Sequence, residues 1–207
     1  MTLALRAAGF SAIGADLSRD AETSLGASFV PANLEAPLPW PDGYFDAVAS
    51  IEGIEHLENA SAFLRQCRRI LAASGTLLLT TPNLVALRSR IRFLGSGFFH
   101  GNAVPLNEAG RDPLHHIGLL TYPELRYLLR VSGFEVLEVG HTHVKPVSVL
   151  YAPLVPWMWA YTRLAFRKER DPIQRARNRE ILRTLYSPSL LFGENLVLVA
   201  RKTPVPS

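Results

Sequence analysis

The sequence predicts an α/β fold: a Rossmann-like, doubly wound, mostly parallel sheet in a single domain spanning residues 1–207. Two observations lead to this prediction. Short apolar segments with the length of strands alternate with helical patterns, which is typical of parallel sheets with helical crossovers. The composition, with 48% hydrophobic and 19% charged residues, is that of a globular domain with a conventional core. It excludes a disordered chain and, since there is one cysteine, a disulfide-stapled miniprotein.

The first half of the chain is divided by clear turn signals. The predicted elements are, in order, a helix ending at Gly9, a buried strand over residues 10–15, a short helix over 18–25, a brief strand over 27–30 and a strand over 45–51. The stretch 31–45 contains four prolines and a glycine, so we expect a loop there.

The second half continues the alternation and adds two long non-strand segments. The predicted elements are a helix over 61–72 stopped by Gly75, a buried strand over 76–81, an amphipathic helix over 84–94, a helix opened by a capping box at Thr121 and Glu124, and strands over 134–139 and 194–200. Between them lie an irregular stretch, 95–118, and a helical insertion, 146–189. Cys67 falls on the apolar stripe of the 61–72 helix, so we expect a small buried hydrophobe rather than a nucleophile.

The positive charge of the chain is concentrated in one segment. Residues 163–183 carry eight basic and three acidic residues, and the rest of the chain is close to neutral. This distribution does not indicate a protein that coats nucleic acid, so nucleic acid is not an expected partner. The N-terminus lacks a charged region ahead of a long apolar run, and we interpret it as mature sequence of a cytoplasmic protein.

Polar residues follow three of the predicted strands. Asp16, Asn33 and Glu52 each come just after a strand end. Because parallel strands place their carboxyl ends at one edge of the sheet, we expect these residues to meet in one crevice. A carboxylate in such a position is suited to the hydroxyls of a ribose. The alternative is that Asp16 and Asn33 only cap a helix or close a turn.

The segment FDAVASIEGIEHLENASAFLRQCRRILAASGTLLLTTPN, residues 45–83, closely resembles class I S-adenosylmethionine-dependent methyltransferases, together with D-L-S at 16–18 and N-L-E at 33–35. The resemblance covers most of residues 1–145 and the last strand, 193–202. It implies S-adenosyl-L-methionine as the cosubstrate. By this resemblance Asp16 would bind the ribose hydroxyls, Leu17 would contact the adenine face, and Asn33 and Leu34 would contact the adenine. Ile51 and Glu52 would lie at the methionyl end.

One feature of that family is missing before Asp16. The glycine-rich loop that wraps the cosubstrate belongs about 20 residues ahead of the ribose-binding acid. Only 15 residues precede Asp16, and they contain no such loop. We therefore expect an N-terminally truncated sheet that lacks its first strand. Three explanations remain open: a first strand encoded upstream, a fragment, or a protein that has lost tight cosubstrate binding.

A cluster of acidic residues and histidines predicts the chemistry of the site. Glu52, Glu55 and His56 stand at the predicted mouth of the crevice, and oxygen ligands with a nitrogen suit Mg²⁺ or Mn²⁺. The E-x-x-E-H pattern resembles the metal-binding turn of two methyltransferase subfamilies, one acting on catechol-like quinone precursors and one on the terminal ribose of small RNAs. In the RNA group a further histidine precedes the T-x-x-E helix start by five residues, as His116 does here. The metal ligands implied are Glu52, Glu55, His56 and His116.

Two interpretations without a metal remain. His56 or His116 would act as the catalytic general base, with His115 as the substitute. Alternatively both histidines only pack or hydrogen-bond at the rim of the site.

The insertion admits three interpretations. Residues 147–166 contain a single charge, Arg163, and are long enough to span a bilayer, but Pro153 and Pro156 favour an interfacial hairpin. In that case residues 147–183 would face anionic headgroups. The second interpretation is a helical cap that buries its apolar face on the core and covers the substrate. The third is RNA binding, which the lack of interleaved aromatic residues disfavours.

The function predicted is S-adenosylmethionine-dependent O-methylation of a small or lipid-linked acceptor, such as a glycan or a quinone precursor. One alternative is a non-catalytic remnant that acts as an interaction module, and another is a metal-dependent RNA ribose methyltransferase. A nicotinamide-dependent oxidoreductase would share the ribose-binding aspartate, but the E-H-L and T-P-N segments at 55–57 and 81–83 argue against it.

Overall fold

A computed structural model describes residues 1–20, 22–102, 104–110 and 114–204. Parts of three predicted segments lie outside the described residues: position 21 of the helix over 18–25, positions 103 and 111–113 of the irregular stretch, and positions 205–207 of the C-terminal tail.

The chain alternates strands and helices as expected. The elements are α1 Thr2–Ala7, β1 Gly14–Asp16, α2 Glu22–Leu25, β2 Phe29–Pro31, β3 Phe45–Ile51, α3 Ala60–Ile70, β4 Leu71–Pro82, α4 Leu87–Ser96, α5 Tyr122–Val131, β5 Phe134–His141, α6 Val155–Phe166, α7 Pro172–Leu185, α8 Pro188–Phe192 and β6 Asn195–Lys202. Three 3₁₀ helices cover Gly26–Ser28, Ile54–His56 and Pro146–Leu154. The predicted α/β class is confirmed.

The strands form two separate sheets. The larger sheet has the order β3-β4-β6-β5, in which β3, β4 and β5 share one direction and β6 runs antiparallel between β4 and β5. The smaller one is the parallel pair of β1 and β2. Among the described residues no strand pairing joins the two sheets. The carboxyl ends of β1, β2 and β3 all precede the polar residues singled out in the sequence, which is the arrangement that the crevice requires.

The core lies between the larger sheet and the helices α3 and α5. Phe63, Leu64, Cys67 and Ile70 form the buried face of α3, at the helical spacing that the sequence predicted. Burial raises the pKa of the Cys67 thiol to about 12, so this side chain is an inert hydrophobe, as expected.

Two helix starts agree with their sequence signals. The side chain of Asn59 accepts a hydrogen bond from the backbone N–H of Ala62 at 2.9 Å, which is an N-cap worth about 1 kcal/mol. At α5, the Glu124 carboxylate accepts the backbone N–H of Thr121 at 2.8 Å, and the capping box is complete. These caps fix the points at which the chain leaves the site region and enters the helices.

Two predicted boundaries are wrong. The strand predicted over 10–15 is reduced to Gly14–Asp16, and Phe10 is 64% exposed. The reason is that β1 pairs with β2 alone, and β2 is itself three residues long. The predicted stop at Gly75 is also wrong, because α3 ends at Ile70 and passes directly into β4, which contains Gly75 within a shift of register between Leu71 and Thr76.

The insertion is helical and packs on the core only in part. It consists of the 3₁₀ helix Pro146–Leu154, followed by α6 and α7, and none of the α6 side chains is buried. The contact predicted for a cap is found on one side of α6 only, where the half-buried Phe166 packs against the core. Within the described part of the chain, no helix is both long and apolar enough to cross a membrane.

Candidate active site

A cavity of about 940 Å³ opens at the carboxyl ends of β1, β2 and β3. It lies between the two sheets, since Ala15 of β1 and Ala47 of β3 are both on its wall. The predicted cosubstrate residues that line it are Asp16, Leu17, Asn33, Leu34, Ile51 and Glu52, and His56 lines it as well. The structure therefore brings these residues together. Among the described residues the lining includes none from the insertion 146–189, so the insertion does not cover this cavity.

The side of the cavity formed by β1 and β2 presents free acceptor atoms. Oδ1 of Asp16 accepts the backbone N–H of Ser18 at 2.9 Å, and Oδ1 of Asn33 accepts that of Glu35 at 2.9 Å. Both residues thus have the turn role considered as the alternative, and that role uses one oxygen of Asp16. The second oxygen of the exposed Asp16 carboxylate remains available to a ligand. Leu17 is 60% exposed beside it and offers an apolar surface.

Glu52 stands in a strained backbone conformation at the end of β3. Its φ is 47°, in the left-handed region, where a non-glycine residue costs about 1 kcal/mol. The backbone N–H of Glu52 donates to the Thr80 hydroxyl at 3.0 Å, which holds the turn in place. Its Oε1 is buried and has no hydrogen-bond partner among the described residues. Strain and an unpaired carboxylate oxygen at a strand end are typical of a functional position.

His56 and His116 form a pair whose ring centroids are 4.7 Å apart. Nδ1 of His56 lies 3.2 Å from the carbonyl oxygen of His115, and Nδ1 of His116 lies 3.1 Å from that of Gly101. A carbonyl oxygen only accepts hydrogen bonds, so in the neutral form of each ring Nδ1 carries the proton and Nε2 has the lone pair. Both histidines are therefore held as bases or ligands through Nε2. His115 contributes its carbonyl group to this arrangement.

Glu55 is fully buried beside the two histidines. Neither of its carboxylate oxygens has a hydrogen-bond partner among the described residues. Burial raises the pKa of Glu55, and the charge of Glu52 adds to this effect. The backbone N–H of Glu55 itself, the nearby Thr81 hydroxyl and His56 oppose it. Ligand atoms of Glu55, His56 and His116 all lie within 4.8 Å of one another. Glu52, the fourth predicted metal ligand, is not part of this cluster.

The turn that carries Glu55 and His56 is pinned to the segment that carries His116. The backbone N–H of Gly118 donates to the carbonyl of Glu55 at 2.8 Å. A Cβ atom on Gly118 would overlap the carbonyl oxygen of Leu57, so only glycine permits this close approach. The Asn102 amide donates to the carbonyl of His116 at 2.8 Å.

A buried carboxylate that the sequence analysis missed braces the same segment. Glu194 accepts from His100 at 2.7 Å and from Arg88 at 3.0 Å, and it pairs with Lys145 at 2.7 Å. His100 immediately precedes Gly101, whose carbonyl holds His116. Sequence reasoning placed Glu194 only at the start of the last strand, since its partners are dispersed along the chain.

Burial and the neighbouring charges shift the pKa values of Glu194 and His100. Burial alone would raise the pKa of Glu194, but the hydrogen bond from Lys145 and the charges of His100 and Arg88 lower it. Burial lowers the pKa of His100, the charge of Glu194 opposes this effect, and the charges of Arg88 and Lys145 add to it. The contact between Nε2 of His100 and the Glu194 carboxylate, at 2.7 Å, is thus surrounded by the cations Arg88 and Lys145.

The chain has detectable similarity to known proteins. The sequence profile of a family described as a methyltransferase domain matches residues 1–139. A "Probable S-adenosylmethionine-dependent methyltransferase" of Mycobacterium tuberculosis (strain H37Rv) is 36% identical over 113 residues, which are 54% of this chain and 35% of that protein. A "Ubiquinone biosynthesis O-methyltransferase" of Caulobacter sp. (strain K31) is 36% identical over 63 residues, 30% of this chain and 25% of that protein. The chain therefore spans about a third or less of the length of these relatives.

The fold is also found among solved structures. A S-adenosylmethionine-dependent methyltransferase from Archaeoglobus fulgidus superimposes with a TM-score of 0.58 at 19% identity, over 97% of this chain and 80% of that one. At this identity the similarity shows the fold, which agrees with the strand order and the position of the cavity. The chain belongs to the methyltransferase domain family and has the class I S-adenosylmethionine-dependent methyltransferase fold.

Proposed function

We propose that this chain transfers a methyl group from S-adenosylmethionine to a hydroxyl oxygen of a small or lipid-linked acceptor. The observation that carries the proposal is the pair of histidines, His56 and His116, held with both Nε2 lone pairs free beside a buried carboxylate. His56 also lines the 940 Å³ cavity, so the basic groups adjoin the space expected to take the cosubstrate. A relative named for ubiquinone biosynthesis supports a quinone-precursor or other hydroxyl acceptor.

The residues of the cavity fit the nucleoside end of the cosubstrate. Asp16 has a free carboxylate oxygen for the ribose hydroxyls, Leu17 has an exposed apolar side chain for the adenine face, and Asn33 and Leu34 line the same wall. Residues 1–20 contain no glycine-rich loop for the methionyl end, where Ile51 and Glu52 are the nearest candidates. When bound, S-adenosylmethionine supplies a sulfonium methyl group: the S–C bond breaks as the acceptor O–C bond forms, and S-adenosylhomocysteine leaves.

The side chains would position the acceptor and take up its proton. Nε2 of His56 or His116 accepts the hydroxyl proton, and the hydrogen bond from Nδ1 to a backbone carbonyl stabilises the resulting imidazolium. General-base assistance of this kind contributes about 10²- to 10⁴-fold. Orientation of the acceptor oxygen toward the methyl group supplies the rest.

A metal-assisted form of the same reaction is the second candidate. The Glu55 carboxylate, which has no hydrogen-bond partner among the described residues, and the rings of His56 and His116 are a donor set that fits Mg²⁺ or Mn²⁺. An ion there would lower the pKa of an acceptor hydroxyl. This form would also suit the vicinal hydroxyls of a terminal RNA ribose.

The test begins with binding of S-adenosylhomocysteine by calorimetry. We expect Asp16→Ala to weaken binding about tenfold or more, because hydrogen bonds to the ribose are lost. Asp20→Ala is the matched control, since Asp20 is exposed and does not line the cavity. Absence of binding to the unmodified chain would overturn the proposal and favour the non-catalytic interaction module.

The same experiment continues with transfer of a labelled methyl group to a panel of phenols, glycans, prenylated quinone precursors and RNA ends. We expect His56→Gln and His116→Gln to reduce transfer about 100-fold, and the exposed His143→Gln to leave it unchanged. Transfer that persists in a chelator assigns the histidines as bases, whereas transfer that requires Mn²⁺ and is lost in Glu55→Gln assigns them as ligands. Transfer restricted to RNA ends would contradict the small or lipid-linked acceptor.

A further inference from the structure

The helix α6 is attached to the core by one side only. Met158, Thr162 and Phe166, spaced four residues apart, are half-buried, and the Thr162 hydroxyl lies 2.8 Å from the hydroxyl of Tyr186. Phe166 packs against the main core. These contacts fix the orientation of the helix.

The opposite side of α6 is an apolar ridge, formed by Leu154, Trp157, Tyr161 and Leu164. The spacing of three, four and three residues places these side chains on one helix face. Their exposed fractions are 40%, 69%, 67% and 59%, respectively. The rings of Trp157 and Tyr161 stack on each other at a centroid distance of 6.1 Å. A row of four large apolar side chains in water marks an interaction surface.

The apolar ridge continues into neighbouring elements. The 3₁₀ helix Pro146–Leu154 ends in the ridge residue Leu154, directly before α6, and packs against α4. Further exposed apolar side chains on these two elements are Val147, Val149, Leu150, Phe93 and Leu94. The exposed surface is therefore a broad patch rather than an isolated ridge.

The segment that follows the ridge is strongly basic and is not neutralised by the protein. Its three acidic residues are already engaged: Asp171 caps α7, Glu180 pairs with Arg126, and Glu169 accepts backbone N–H groups. In the described ranges, none of the eight basic residues of 163–183 forms an ion pair. Arg163 instead lies over the Trp159 ring at 5.0 Å.

We propose that the apolar ridge and the basic segment 163–183 together form a docking surface for membranes that contain anionic lipids. Trp and Tyr side chains prefer the boundary between hydrocarbon and headgroups, and Leu154 and Leu164 would enter the acyl region. The unpaired cations would bind the negative surface of the membrane. This inference does not depend on the proposed methyl transfer.

The charge of the surface favours a membrane over the other occupants. A second copy of the chain, docked through the same face, would bring two strongly basic segments together and repel. RNA would be held by the cations, but residues 167–183, which carry seven of the eight basic residues, contain no aromatic residue on which bases could stack.

The experiment is co-sedimentation of the full chain with vesicles, together with tryptophan fluorescence. Vesicles of phosphatidylcholine with about 30% phosphatidylglycerol at low salt are compared with pure phosphatidylcholine and with high salt. We expect binding to the anionic vesicles, at least about tenfold weaker binding to the neutral ones, and weakening by salt, because each cation near the surface contributes about a fivefold preference.

Two sets of variants separate the apolar and the charged contributions. Trp157→Ser with Tyr161→Ser should weaken vesicle binding at least about tenfold, whereas Tyr127→Ser, equally exposed at 65% on α5, should not. Arg167→Gln, Lys168→Gln and Arg170→Gln together should weaken it about 100-fold, and Arg65→Gln, Arg130→Gln and Arg201→Gln together should have a much smaller effect. All of these positions are exposed, so folding should be preserved.

Three outcomes would overturn the inference. The first is no binding to anionic vesicles at low salt. The second is a dimer in solution, measured by light scattering, that the Trp157→Ser and Tyr161→Ser variant abolishes. The third is RNA binding that displaces the vesicles and is lost in the triple variant of the basic segment.

Discussion

The two sides of the cavity are built in opposite ways. Glu55, His56 and His116 lie in a turn and a loop that are pinned to each other through Gly118 and braced by Glu194. Asp16 and Asn33, by contrast, are exposed; Asp16 is the last residue of a strand of three residues, and Asn33 follows another strand of three residues. From this comparison we expect the side with Glu55, His56 and His116 to be organised without a ligand, and the side with Asp16 and Asn33 to gain order when a ligand binds.

The difference has its origin in burial. The larger sheet covers a core that includes Leu77, Leu79 and Leu198, each exposed by 1% or less. The β1 and β2 pair buries only Gly14 and Phe29 within its strands. Apolar burial is the main stabilising contribution to folding, so the two regions should differ in local stability.

The largest expected effect is a difference in amide hydrogen exchange between the two sheets, measured by mass spectrometry or NMR. We expect amides of β4 and β6 to be protected at least about 1,000-fold more than those of β1 and β2, because the former open only with the core and the latter open locally. S-adenosylhomocysteine at 100 times its dissociation constant should raise protection of the Ala32 amide, which donates to Asp16, by up to about 100-fold.

Equal protection of both sheets would contradict the comparison. A rise in protection confined to the turn 54–57, with β1 and β2 unchanged, would show that the ligand binds on the other side of the cavity.

The second test of this comparison replaces Gly118, which links the turn carrying Glu55 and His56 to the segment carrying His116. Gly118→Ala places a methyl group against the Leu57 carbonyl, and we expect a loss of about 3 kcal/mol in the free energy of unfolding. The displaced loop should also release His56, since the carbonyl of His115 moves with it. Nitrogen NMR of the imidazole should then show that the Nδ1-protonated tautomer of His56 is no longer fixed.

Gly95→Ala is the matched control, because no atom lies within 4 Å of the added methyl group. It should leave the histidine signals unchanged and raise the free energy of unfolding by at most about 1 kcal/mol, since Gly95 lies within α4 and alanine is the better helix former. Fixed tautomers in Gly118→Ala would show that the histidines are not organised by this link.

Much of the site could be predicted because it depends on local signals. The strand ends at Asp16, Asn33 and Glu52 are visible as changes from apolar to polar residues, and the rule that parallel strands end at one edge brings them together. The Glu194 brace could not be predicted, since Arg88, His100 and Lys145 meet it only through the tertiary fold.

The insertion shows a different limit of sequence reasoning. An apolar run with one charge is equally compatible with a cap on the core and with an exposed face, because hydrophobicity does not say what covers it. Only the packing of Phe166 and the 69% exposure of Trp157 separate the two sides of α6. The same limit applies to β1, whose length is set by its neighbour and not by residues 10–13.

The smallest expected effect is the change in stability on replacing Glu55, which tests only the side of the cavity that contains Glu55, His56 and His116. Burial raises the pKa of this carboxyl, so the folded protein loses stability as the pH rises from the ordinary carboxyl range to the raised value, and no further above it. Glu55→Gln removes this cost and should unfold about 1 kcal/mol less readily at neutral pH, with the advantage disappearing in acid. Thermal unfolding across pH measures this difference in stability, and the exposed Glu58→Gln should show no such dependence.

Stabilisation by Mn²⁺ distinguishes the two roles of Glu55. If Mn²⁺ stabilises the unmodified protein but not Glu55→Gln, the unpaired carboxylate is a ligand; if it stabilises neither, the carboxylate instead tunes the two histidines as bases.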